Sequence, residues 1–227
     1  METLTCYMCS HKATSQEHAP PRCLFPQAKD THDGADYRKN LVTVPSCELH
    51  NGEKSHDDEY LLFVLAGSYT SSSVGLKQFL TKVHRAFEKR PGKATNFVRR
   101  STPVKLKRIG ETEWENGAQV IIDGERVDRV LNNCARALYH HHTGSKFQGP
   151  AQVLTNFTMY LDEKVQTSVS ESFDIAANAL AAEPLRGTNP AVFAYKFKES
   201  DSMVLFYFCF YDSSSAIVRF TKIILVT

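Results

Sequence analysis

No apolar run in this chain approaches the roughly 20 residues that a bilayer span requires. The longest, Tyr60–Leu65 and Met203–Tyr211, are short and read as core segments, so no membrane is expected as a partner. A basic segment leading into an apolar one is missing from the N-terminus, so no secretion signal is expected and the chain is read as cytoplasmic. No internal repeat occurs at a fixed period, which sets aside solenoids and propellers. Cysteine is sparse: six in 227 residues is too few for a disulfide scaffold of this length. Charge of either sign is not in excess, and the net value of +2 says little about partners until its distribution is considered. What is present is apolar: 42% hydrophobic and 11% aromatic residues can bury a core and exclude disorder over the whole length.

The hydrophobic pattern predicts an α+β protein. Ser55-His56-Asp57-Asp58 has the spacing of a capping box, and Tyr60–Leu65 follows as a short buried helix with Gly67 as its stop. Leu76, Phe79, Leu80, Val83 and Phe87 recur at helical spacing, with Lys77, Arg85 and Lys89 opposite. Val104–Ile109 and Val120–Ile122 read as strands. Val127, Val130, Leu131, Cys134 and Leu138 mark a second helix face that ends at Gly144. Further on, Gln152–Leu161 is expected as a strand and Asp174–Ala182 as a helix. Phe193–Phe197, Met203–Tyr211 and Ala216–Val226 are expected as an antiparallel meander packed on helices. These expectations divide the chain into residues 1–68, a basic helical region over 74–144, and a C-terminal α+β region over 145–227 without assigned role.

Two cysteine-containing pairs carry the first chemistry. Cys6-x-x-Cys9 and Cys47-x-x-His50 bracket one small segment, the usual construction of a tetrahedral structural zinc site. Thiolates and imidazole are the ligands zinc prefers. Cys23, His11 and His32 are alternatives for the fourth position. His140-His141-His142 is not a comparable candidate, because consecutive residues on a helix diverge and cannot share one ligand sphere.

Between the pairs lies Glu17-His18-Ala19-Pro20-Pro21. Taken with Asn40-Leu41, with Cys47-x-x-His50-Asn51-x-x-Lys54 and with the leading Cys6-x-x-Cys9, it resembles the HNH nucleases of the ββα-metal superfamily, in the subset with a zinc knuckle. The resemblance runs from Cys6 to Tyr60, about a quarter of the chain. It implies an N-terminal zinc-stapled ββα module ahead of the helical middle and the meander. It also implies that His18 is the general base that activates water, a role suited to an imidazole titrating near neutral pH. Glu17 and Asn51 would hold a catalytic divalent cation, Mg²⁺ with Mn²⁺ or Ni²⁺ as substitutes. Asn40 would orient the strand and loop that carry the histidine. Lys54 could meet a phosphate from the same helix as Asn51.

Positive charge concentrates downstream. Between Leu76 and Ile109 stand eleven basic residues and a single acid, Glu88, a local net charge of +10 in a chain whose total is +2. Such a stretch is the electrostatic footprint of a phosphate binder. Arg85, Lys89, Arg99 and Arg100 are its candidate nucleic-acid contacts. The expected function is metal-dependent endonucleolytic cleavage of DNA, most simply duplex DNA, with RNA left open as a substrate. The alternative is a non-catalytic zinc-knuckle module that binds nucleic acid or protein; it would need the four zinc ligands but not Glu17, His18 and Asn51.

Overall fold

The computed structural model describes residues 4–31, 34–51, 55–68, 71–92, 95, 99–107, 112–158 and 162–222. Near the N-terminus, strand β1 (Ser15–His18) pairs antiparallel with β2 (Thr43–Ser46), Ser15 opposite Ser46 and His18 opposite Thr43. A one-turn helix, α1 (Glu48–Asn51), follows β2 almost at once. Helix α2 (Ser55–Ala66) buries every residue from Leu61 to Ala66. That second half is apolar all round because other elements cover it on several sides, not because one stripe faces a core.

The middle region holds the first surprise. The expected amphipathic helix is a rod of three parts: α3 (Ser73–Gln78), a wide π turn over Phe79–Val83, and α4 (His84–Lys89). A π turn takes an extra residue and shifts the face that follows. Val83 is fully buried, but Leu76 and Leu80, predicted for the core, are 53% and 64% exposed. Gln78 is buried in their place. Beyond the rod, β3 (Ser101–Leu106) and β4 (Glu115–Val120) form a two-stranded ribbon with no fully buried position.

Helix α5 (Gly124–Thr143) follows its prediction closely. The Asp123 side chain accepts from the Arg126 amide at its start, and Gly144 closes its end at φ 70°, its N–H donating to the His140 carbonyl at 2.8 Å. The left-handed conformation at that position is one that glycine adopts without penalty. Val127, Val130, Leu131, Cys134 and Leu138 are all buried, and the helix lies against α2, β2 and the C-terminal sheet.

That sheet has five antiparallel strands in the order β5-β9-β8-β7-β6: β5 (Ala151–Thr155), β6 (Arg186–Asn189), β7 (Phe193–Glu199), β8 (Met203–Phe210) and β9 (Ser214–Thr221). Val204, Phe206, Phe208 and Phe210 of β8 and Val218 and Phe220 of β9 point to its inner face and are fully buried. On the outer face, Phe173 of α6 (Glu163–Ala179) meets Tyr207 of β8 edge to face at 6.1 Å. The meander is therefore present, widened by β5 and β6. The expected strand over Gln152–Leu161 ends at Thr155, and α6 begins eleven residues before Asp174. One hydrophobic core runs unbroken from Cys6 through α2 and α5 to Phe220. No helix among the described residues is long and apolar enough to cross a membrane.

Candidate metal centre

The four predicted zinc ligands come together through local geometry. Residues 5–12 fold back on themselves through a bridge between Thr5 and Lys12 and a bond from the Cys6 amide to the His11 carbonyl at 2.9 Å, which presents Cys6 and Cys9 on one tight turn. The Tyr7 amide donates to the Pro45 carbonyl at 2.8 Å, docking that turn on β2. Cys47 leaves the end of β2, and one turn of α1 returns His50 to the same side, its amide bonded to the Cys47 carbonyl at 3.1 Å. The Cys6, Cys9 and Cys47 sulfurs and one His50 ring nitrogen all lie within 4.8 Å of one another.

Three of the ligand separations match those an ion would impose, and the fourth, between Cys47 and His50, is shorter. Tetrahedral zinc with Zn–S of about 2.3 Å and Zn–N of about 2.0–2.1 Å requires ligand–ligand edges of about 3.5–3.8 Å. Cys9 Sγ stands 3.8 Å from Cys47 Sγ, and the His50 Nδ1 stands 3.5, 3.6 and 3.2 Å from the sulfurs of Cys6, Cys9 and Cys47. Burial pushes the Cys6 thiol up, but backbone donors led by Met8, whose amide lies 3.5 Å from the sulfur, outweigh it and leave the pKa below its usual value. The group can hold a metal such as zinc. Among the rival ligands, Cys23 donates to the Asp58 carbonyl at 3.3 Å and His11 is exposed, while His32 lies outside the described residues.

The C-terminal third grips this turn from behind. Lys146 Nζ donates to Thr5 Oγ1 at 2.8 Å and to the Cys9 carbonyl at 2.7 Å. Arg136 in turn holds the loop after α5 by donating to the carbonyls of Phe147 and Gly149. These two residues carried no sequence signal, since a lone Lys or Arg far along the chain has no spacing to betray its partner.

The residues implied by the nuclease resemblance lie on β1, the loop before β2, and α1. Glu17 is 6% exposed and His18 half-buried, because successive strand residues face opposite sides. Burial, reinforced by the charges of Arg22 and Arg38, holds the His18 pKa below its usual 6.5. The Asn51 amide nitrogen donates to Ser15 Oγ at 2.8 Å, tying α1 to β1. Asn40 is exposed, with φ at 56°, and its carbonyl accepts from Thr188 Oγ1 at 3.3 Å. Lys54 lies outside the described residues.

The loop after His18 is held by four side-chain donors from three parts of the chain. The Cys23 carbonyl accepts from Lys82 Nζ at 2.6 Å, and the Leu24 carbonyl from Gln78 Nε2 at 2.8 Å and Tyr211 Oη at 2.6 Å. The Phe25 carbonyl accepts from Arg38 Nε and Nη2 at 3.1 and 3.0 Å.

Of the expected nucleic-acid contacts, Lys89, Arg99 and Arg100 are exposed. Arg85 is engaged otherwise: its two terminal nitrogens meet both carboxylate oxygens of buried Asp30 at 2.8 and 2.7 Å. That contact holds the Asp30 carboxyl below its usual pKa. Comparison of the chain with protein-family models, with curated proteins and with solved structures found no match.

Proposed function

We propose that the protein is a metal-dependent nuclease of the HNH kind that hydrolyses phosphodiester bonds in DNA, with His18 as the general base. The observation that carries this reading is the support around β1. The Cys6–Cys9–Cys47–His50 group anchors α1, and the Asn51–Ser15 bond ties α1 to the strand that bears Glu17 and His18. A base on a strand fixed in this way meets the positional demand of proton abstraction from an attacking water. A lowered pKa keeps the imidazole neutral, the form that accepts a proton, at cellular pH. The donors present, a carboxylate from Glu17 and the Asn51 amide oxygen, suit a hard cation such as Mg²⁺. When bound there, such an ion would polarise the scissile phosphate and stabilise the leaving oxygen. Asn51 spends its nitrogen on Ser15, so its oxygen is the atom that would serve a cation.

Arg85 is left out of the nucleic-acid surface, since Asp30 already balances its charge. Lys89, Arg99 and Arg100 remain in it. The burial of Glu17 favours a second reading, a zinc-knuckle module that binds without cutting, because a catalytic ligand must reach its cation. One experiment separates the two: supercoiled plasmid, single-stranded DNA and RNA are each incubated with the protein and Mg²⁺ or Mn²⁺, beside a His18→Ala variant. Cleavage by the wild type and none by His18→Ala is the expected outcome. Cleavage at equal rates refutes the assignment of the base, and cleavage by neither leaves the binding module as the function.

A further inference from the structure

A cleft of about 500 Å³ opens between the first turn of α2, the turn at Cys23 and the rod of α3 and α4. Its polar lining is Ser55, His56, Glu59, Lys82 and Arg90, over a floor that includes Phe63. Lys82 belongs to the π turn, a helical irregularity that concentrates at functional sites. Its ammonium is half-buried and donates at 2.6 Å to the Cys23 carbonyl, a neutral partner. Nearby Asp30 is occupied by both terminal nitrogens of Arg85. The cleft thus presents a partly desolvated cation whose hydrogen-bonding partner carries no charge. Burial, which disfavours the charged form, lowers the Lys82 pKa, against the opposing pull of Cys23, Asp30 and Glu59. An anion in the cleft would relieve that cost. Arg90, exposed, is the second cation of the lining.

The spacing selects the kind of anion. Lys82 stands in the π turn and Arg90 just past the end of α4, so the two cations line the cleft from separate turns of one rod. A single small ion is poorly matched to two separated cations, whereas the phosphates that repeat along one strand can meet both. We propose that this cleft holds the phosphate backbone of a nucleic-acid strand, with Lys82 at the inner phosphate and Arg90 at the mouth. The proposal extends the nuclease reading to the way a substrate strand is gripped, and rests on that reading for its choice of nucleic acid as ligand. Glu59 is the acid of the lining, so it opposes such a ligand. Removal of a cation and removal of this acid must therefore act in opposite directions.

The test uses the full chain carrying His18→Ala, so that binding is read without cutting and with no added Mg²⁺. Anisotropy of a fluorescein-labelled 15-nucleotide single strand, and of its duplex, is followed from 50 to 200 mM salt. Lys82→Met and Arg90→Gln should each weaken binding roughly tenfold, the size expected for a charged hydrogen bond. Each should also flatten the slope of log affinity against log salt by about 0.7 on the single strand or about 0.9 on the duplex. Glu59→Gln should tighten binding. If Lys82→Met does not fold, the opposite signs of Arg90→Gln and Glu59→Gln carry the test. Wild-type affinity and slope in the cation variants overturn the proposal. So does displacement of the labelled strand by micromolar inorganic phosphate, which would assign the cleft to a single free ion. Failure of plasmid cleavage by the wild type, with the binding pattern intact, would refute the nuclease reading and leave the cleft as a strand-binding site.

Discussion

Cys9 and Cys23 are both half-buried thiols near the N-terminus, and the structure predicts very different consequences for removing them. In Cys23→Ala the losses are one sulfur and its contact to the Asp58 carbonyl at 3.3 Å. A weak hydrogen bond and a small transfer cost amount to about 1–2 kcal/mol. At roughly 2–4 °C per kcal/mol for a chain of this size, the melting temperature should fall by about 2–8 °C. Cys9→Ala removes one corner of the Cys6–Cys9–Cys47–His50 group. Structural zinc supplies on the order of 10 kcal/mol in small modules, against a whole-domain stability of only about 5–15 kcal/mol. Because the core runs unbroken from Cys6 to Phe220, the loss should spread beyond the first turn and abolish cooperative unfolding. Metal analysis of the purified proteins and thermal scans with and without a chelator provide the readout. One equivalent of zinc is expected in the wild type and in Cys23→Ala, and none in Cys9→Ala. A wild type that is metal-free yet melts cooperatively, or a Cys23→Ala protein that loses metal as Cys9→Ala does, would refute the reasoning.

Three further outcomes follow from the same structure. His142 stacks on Phe197 at 4.5 Å and meets Tyr195 Oη at 2.8 Å; burial first, then Arg186, lowers its pKa to about 4. The folded state thus resists protonation that the unfolded chain accepts near 6.5, so this contribution to stability is complete above pH 6.5 and drains away toward pH 4. Urea midpoints should show the stability gap between wild type and His142→Leu narrowing from pH 7 to pH 4.5; a constant gap sinks the assignment. Tyr211→Phe deletes a buried 2.6 Å bond to the Leu24 carbonyl, but Gln78 still serves that oxygen, so the cost should stay near 1–1.5 kcal/mol, a fall of about 2–6 °C. A larger loss would mean that the Gln78 bond does not survive alone. Replacing Arg99 and Arg100 together by Ala should flatten the salt slope of duplex binding by up to about 2, similarly for all sequences, and an unchanged slope would place both side chains in bulk water.

The candidate metal group was legible because zinc sites are written in short spacings, and Cys6-x-x-Cys9 with Cys47-x-x-His50 needed only to be brought together. Helix α5 was legible because its apolar residues hold one stripe from Val127 to Leu138 and Gly144 ends it. The rod from Ser73 to Lys89 misled for a physical reason: a π turn breaks the period on which the reading relies, so Leu76 and Leu80 came out exposed and Gln78 buried. Helix α6 was seen only in part because its first turns are polar and it buries just Val169 and Ala176, seven residues apart. The burial of Glu17 also lay beyond the sequence. Alternation along a strand separates Glu17 from His18 but does not say which of them faces inward.

The brace on the metal turn has a consequence for the order of events during synthesis. Lys146 reaches Cys9 across 137 residues, whereas Cys6 and His50 are 44 apart. All four residues of the candidate metal group therefore leave the ribosome long before the residue that braces their turn. An ion captured then would staple β1, β2 and α1 while α5 and the sheet were still unmade, giving the later helices a formed edge to pack against. A metal ion would act on the nascent chain as a template, and in the finished protein Lys146 adds a second hold on the same turn.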